Sequence, residues 1–130
     1  MSVNILLITH EDIGHALLQI AQETYGELPL PVTPVTVSYH ADPDELYEKL
    51  IRFLAQVDGK AGSLMLTDMF GSTPCNLARK LEKIGQVRVV TGLNLPMLIR
   101  VLNYPHLPLS ELADKAVSGG KDGVIDCDIK

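Results

Sequence analysis

The sequence predicts a doubly wound α/β fold, a mostly parallel sheet flanked by helices, in one domain over residues 1–130. Three observations predict it. Short apolar runs alternate with segments of helical spacing, the pattern of strand–helix–strand crossovers. The first run, Val3 to Thr9, is apolar without alternation, as expected of a strand covered on both faces. The composition suits a packed chain, with 46% apolar, 21% charged and 5% aromatic residues. A chain of this length buries roughly two-thirds of its unfolded surface, enough for a core without staples.

After the first strand, a polar loop, His10 to Gly14, leads into a helix over His15–Tyr25, with Leu17, Leu18, Ile20 and Ala21 on its inner side and Gly26 as its stop. Glu11 and Asp12 read as solvated loop charges that favour the helix start. Pro29 to Pro34 is a connection, and Val35-Thr36-Val37 is a β-branched second strand. Asp42 is an N-cap, followed by Pro43 at the first helical position. That helix runs to about Val57, with Leu46, Leu50, Ile51 and Leu54 inward, and Asp58-Gly59-Lys60 makes a turn. Gly62–Thr67 is the third strand. Thr73 caps a helix from Pro74 to near Ile84. Val87–Thr91 is the fourth strand, and Leu95–Leu102 and Ser110–Val117 are further helices. Gly119-Gly120 and a turn at Lys121–Gly123 precede a last strand, Val124–Ile129.

Charge and cysteine usage narrow the function classes. The formal net charge is −5 and no Lys/Arg cluster occurs, which argues against nucleic acid as a partner. An acidic chain can instead be steered onto a basic protein. Cys75 and Cys127 form no CxxC and sit at no metal spacing with histidine, so reduced thiols and no metal or cofactor are expected. The run Ile5–Ile8 is too short for a signal core or a membrane span, so a cytoplasmic protein, not embedded in a membrane, is expected.

In open parallel sheets, ligands lie beyond the carboxyl ends of the strands. The first strand delivers His10 there, the third Asp68 with Gly71-Ser72-Thr73, and the fourth Gly92 and Asn94. A neutral imidazole is a nucleophile near pH 7. A carboxylate such as Asp68 can fix its tautomer and free the other nitrogen. Gly71-Ser72-Thr73 stands before a helix whose N–H groups, with the two hydroxyls, suit an anion. Together these suit phosphoryl transfer through His10. His15, His40 and His106 read as solvated or structural residues.

These residues occur in three motifs: Ile8-Thr9-His10, Asp68-Met69-Phe70-Gly71-Ser72-Thr73-Pro74-Cys75-Asn76, and Gly92-Leu93-Asn94-Leu95-Pro96-Met97-Leu98, with Gly123-Val124 near the C-terminus. With them the chain resembles, along its whole length, the IIA component of the mannose-type (mannose/fructose/sorbose) sugar phosphotransferase system. The resemblance implies a single mannose-type IIA domain whose His10 takes a phosphoryl group from the phosphocarrier protein HPr. It implies that Asp68 bonds the His10 ring, that Gly71, Ser72 and Thr73 receive the phosphoryl group, and that Thr9, Asn94, Pro96 and Met97 lie near the site. It further implies a homodimer exchanging the strand at about Val124–Ile129. Ser72 stands where the family often has a second glycine, and Cys75 where it usually has phenylalanine. The sequence stops at residue 130 without a IIB segment, so the expected acceptor is a separate IIB protein.

The same residues suit a regulatory module whose His10 phosphorylation state is sensed by a partner protein, without sugar transport. A receiver-like phosphoaspartate switch centred on Asp68 lacks a well-placed lysine, and a nucleotide or flavin binder lacks GxGxxG and P-loop motifs.

Overall fold

A computed structural model of the chain describes residues 2–57 and 60–128. Four parallel strands form one sheet in the order β2-β1-β3-β4: β1 (Asn4–His10), β2 (Val32–Val37), β3 (Ser63–Thr67) and β4 (Val87–Thr91). The helices among the described residues are α1 (Ile13–Tyr25), α2 (Pro43–Gln56), α3 (Thr73–Leu81), α4 (Leu95–Leu102) and α5 (Leu109–Asp122).

The central strands alternate sides, and both sides are apolar. Ile5, Leu7, Leu64 and Leu66 pack with α1, α4 and α5, while Leu6, Ile8 and Met65 pack with α2 and α3. This makes the fold doubly wound, as expected from the unbroken apolar run in β1. Each such buried leucine or isoleucine contributes about 1.5–3 kcal/mol relative to exposure. Asp42 accepts from the Asp44 N–H (3.0 Å) and starts α2 with Pro43 behind it. The Tyr25 hydroxyl donates to the Ile99 carbonyl (3.3 Å) and to Asn103 Oδ1, joining the end of α1 to the end of α4. Burial raises the pKa of that hydroxyl above its ordinary value.

Several boundaries differ from expectation for physical reasons. β2 starts at Val32 and includes Pro34; it is an edge strand, where proline is tolerated. Ile20, expected inside, is exposed on α1. Ser72, one residue earlier than expected, is the N-cap position of α3, and its hydroxyl donates to the Met69 carbonyl (2.6 Å) instead of capping. α3 ends at Leu81 because Lys83 and Ile84 bond back three residues, to the Lys80 and Leu81 carbonyls, in tighter turns. Asp58 and Gly59 of the expected turn lie outside the described residues.

The C-terminal region is the largest correction. α5 continues through Gly119-Gly120 to Asp122. These glycines are a packing surface and not a breaker: a Cβ on Gly119 would lie 2.4 Å from Arg100 Cβ, and one on Gly120 would lie 2.8 Å from Met97 Cε. The expected last strand is absent over Val124–Asp128, and Ile129 lies outside the described residues. A strand needs a paired neighbour, and the tail over Val124–Asp128 has none among the described residues.

The close approach at Gly119 yields a test. Alanine at an exposed helical position should gain up to about 1 kcal/mol over glycine. Gly119→Ala should instead lose about 1–3 kcal/mol, because Arg100 Cβ is fixed to its backbone and cannot rotate away. The denaturant midpoint should fall; a raised midpoint would show that α4 and α5 are not packed this closely.

Candidate functional site

The strand order creates the site. β1 and β3 are neighbours, but from β1 the chain crosses to β2 on one side, and from β3 to β4 on the other. The crevice at such a switch, beyond the carboxyl ends of the strands, is where open parallel sheets bind ligands. Ile8 of β1 is in register with Thr67 of β3, so His10 and Asp68 emerge side by side.

The structure brings these two residues together. His10 Nδ1 lies 2.8 Å from Asp68 Oδ2, and the His10 backbone N–H donates to the same oxygen at 3.0 Å. An ionised carboxylate only accepts, so Nδ1 carries the proton in this contact and Nε2 keeps its lone pair. The His10 side chain is 30% exposed and that of Asp68 11%, so the ring is reachable while its orienting partner is sheltered. Asp68 Oδ1 is buried without a hydrogen-bond partner among the described residues. Among the described residues, His10 thus supplies both hydrogen bonds that this carboxylate accepts.

The loop after β3 turns at Gly71, whose φ of 80° strains any residue with a Cβ. It ends at α3, where Thr73 and Cys75 present first-turn N–H groups that a helix leaves without internal partners. Pro74 has no N–H to offer. The Ser72 N–H is directed to the Met69 carbonyl at 3.4 Å, as is its hydroxyl. Thr73 is exposed.

The four residues implied to lie near the site have other work. Thr9 is fully buried, and its hydroxyl accepts from the Gly14 N–H (2.9 Å), fixing the start of α1 against β1. Asn94 caps α4 by accepting from the Met97 N–H (2.9 Å) and donates to the Gly120 carbonyl (3.1 Å). Met97 is buried against Gly120, and Pro96 packs near Gly123. His15, His40 and His106 are exposed and apart from the His10 pair in the hydrogen-bond pattern. Cys75 is buried and Cys127 exposed, both free.

A feature that sequence reasoning passed over is the apolar rim. Met69 and Phe70, 58% and 70% exposed, directly follow Asp68, and Ile13 is exposed at the start of α1. Arg79 stands 5.9 Å from the Phe70 ring centroid. Two large apolar residues in a loop beside a polar pair were the signal available. Among the described residues, no group of three or more His, Cys, Asp or Glu could hold a metal. No helix among them is long and apolar enough to cross a membrane.

Comparison with known proteins points one way. A family model described as the PTS system fructose IIA component, EIIA-man, matches residues 4–117. The chain is 30% identical over 127 residues to the PTS system mannose-specific EIIAB component of Escherichia coli K12, covering 95% of the chain but 39% of that protein. It is 30% identical over 113 residues to the PTS system sorbose-specific EIIA component of Lacticaseibacillus casei, covering 85% of the chain and 80% of that protein. The mannose/sorbose-specific IIA subunit of the phosphotransferase system from Enterococcus faecalis superposes with a TM-score of 0.89 at 29% identity, over 100% of this chain and 98% of that one.

The ring geometry is open to a direct test. Nitrogen-15 NMR of neutral His10 should find the proton on Nδ1, and Asp68→Ala should release that preference. Equal tautomer populations in both proteins would mean that the carboxylate does not fix the ring in solution.

Proposed function

Because the chain belongs to the EIIA-man family, the fructose- and mannose-type IIA components of the phosphotransferase system, we propose that His10 carries a phosphoryl group taken from phospho-HPr and passed to a IIB protein. The coarse role, a component of the phosphotransferase system, follows from the family itself. The finer role rests on one observation above the others: Asp68 occupies His10 Nδ1 at 2.8 Å, which leaves Nε2 as the free nitrogen on a reachable ring.

In this reading, the Nε2 lone pair attacks phosphorus. A new P–N bond forms at His10 as the P–N bond to the donor imidazole breaks, and the donor ring keeps that electron pair. His10 holds its proton at Nδ1 throughout and becomes a phosphorylated, positively charged ring. The Asp68 carboxylate is already in place to stabilise that charge, without reorganisation during the reaction. Gly71, Ser72 and Thr73, with the N-terminus of α3, suit the phosphoryl oxygens. Positioning and charge stabilisation supply most of such a rate. The exposed Ile13, Met69 and Phe70 favour a protein over a small molecule as donor, since apolar patches rimmed by polar groups mark protein contacts.

The homodimer belongs to the same proposal. Among the described residues β4 is paired only with β3, and the tail over Val124–Asp128 is exposed, with Val124 and Ile125 in the open. An unpaired strand edge and an unpaired apolar tail are complementary, and exchange between two copies would satisfy both.

Incubation with enzyme I, HPr and radiolabelled phosphoenolpyruvate tests the carrier role. The label should be acid-labile, reside on His10 Nε2 and vanish in His10→Ala. Label retained in that variant, or found on Nδ1, would overturn the assignment. Asp68→Ala should slow transfer by about 10- to 100-fold, by analogy with the loss of a carboxylate that orients a metal-bound histidine. A chain truncated after Gly123 should sediment as a monomer; a dimer of unchanged stability would refute the exchange.

A further inference from the structure

The residue immediately after His10 has an unusual backbone. Glu11 has φ 45°, the one positive value among the described non-glycine residues. This left-handed conformation brings Cβ close to the following carbonyl and suits glycine. Such strain persists where the surroundings hold it, and it gathers at functional sites.

Two contacts hold it. The Glu11 N–H donates to the Val37 carbonyl (3.1 Å), continuing the β1–β2 pairing in which His10 stands opposite Val37. The Glu11 carboxylate then accepts from the Tyr39 backbone N–H (3.2 Å). Tyr39 lies in a turn closed by the Ala41 N–H on the Ser38 carbonyl (3.1 Å), and the residue is 87% exposed. Glu11 is therefore more than the solvated loop charge its sequence position suggests. It ties the segment after β2 to the loop that carries His10, and that segment presents an exposed aromatic residue.

We propose that Glu11 is a positioning residue: its carboxylate latches the Ser38–Ala41 turn to the His10 loop and holds Tyr39 as a fixed part of the surface on which the phosphoryl donor docks. The proposal rests on the reading of His10 as phosphoryl acceptor. Glycine at position 11 would accept the backbone conformation without strain but could not make the latch. Glutamine would keep an acceptor oxygen at the same reach without the charge. The latch acts on docking, because the His10 ring itself is oriented by Asp68 and not by Glu11. An aromatic residue held in place loses less freedom on binding than one on a loose turn.

The test compares the full-length chain with Glu11→Gly, Glu11→Gln and Tyr39→Ala in initial-rate assays against phospho-HPr. Glu11→Gly should raise KM about fivefold, the scale of one lost hydrogen bond, with kcat within about twofold and a melting temperature no lower than the parent's. Glu11→Gln should restore KM to within about twofold of the parent, and Glu11→Gly should add little to Tyr39→Ala. Parental KM in Glu11→Gly, or Glu11→Gln failing as badly as Glu11→Gly, would overturn the latch. Amide exchange at Tyr39 reports on it without phosphorylation, and should quicken in Glu11→Gly and not in Glu11→Gln; equal exchange in all three would also overturn it. A His10→Ala control separates the two ideas. Label persisting there removes the acceptor assignment, and with it this role for Glu11, whatever the exchange data say of the contact.

Discussion

Burial of β1 and β3 on both faces constrains everything else in the molecule. Ile5 to Ile8 and Leu64 to Leu66 have no solvent exposure, so neither strand can slip in register without driving apolar side chains into the wrong layer. That fixed register brings the end of β1 beside the end of β3 and sets His10 against Asp68. A hydrogen bond of 2.8 Å between residues 58 apart in sequence is thus a product of the core and needs no loop to find it.

The Asp68 carboxylate is unevenly satisfied. Both of its hydrogen bonds fall on Oδ2, from the backbone and the ring of His10, while Oδ1 is buried with no partner among the described residues.

Most of this was legible in the sequence, and the exceptions have physical causes. β4 and α4 lie where their patterns put them, since Val87–Thr91 is β-branched and Leu95–Leu102 carries an Asn94 cap and an early proline. His10 and Asp68 were visible as polar residues ending apolar runs. What was not legible depends on what lies opposite in space. Gly119-Gly120 looks like a stop until Arg100 and Met97 are seen packed against it. The bonds of Thr9 to Gly14 and of Asn94 to Gly120 likewise follow from no spacing in the sequence. The expected last strand is absent over Val124–Asp128, where no neighbour among the described residues pairs with the tail. Nor does any spacing rule reveal that Glu11 reaches across to Tyr39.

The open side of β4 has a consequence for how such a chain survives at high concentration. Its outer edge is a row of unpaired N–H and C=O groups, flanked by valines, and a foreign strand could add there as readily as a proper one. Arg88, exposed in the middle of that strand, puts a charge where an aggregating neighbour would have to stack its own copy of the same residue. Like charges repeated along a growing ribbon repel. Arg88 therefore biases this edge by charge against the fibre-like stacking of β4 on itself.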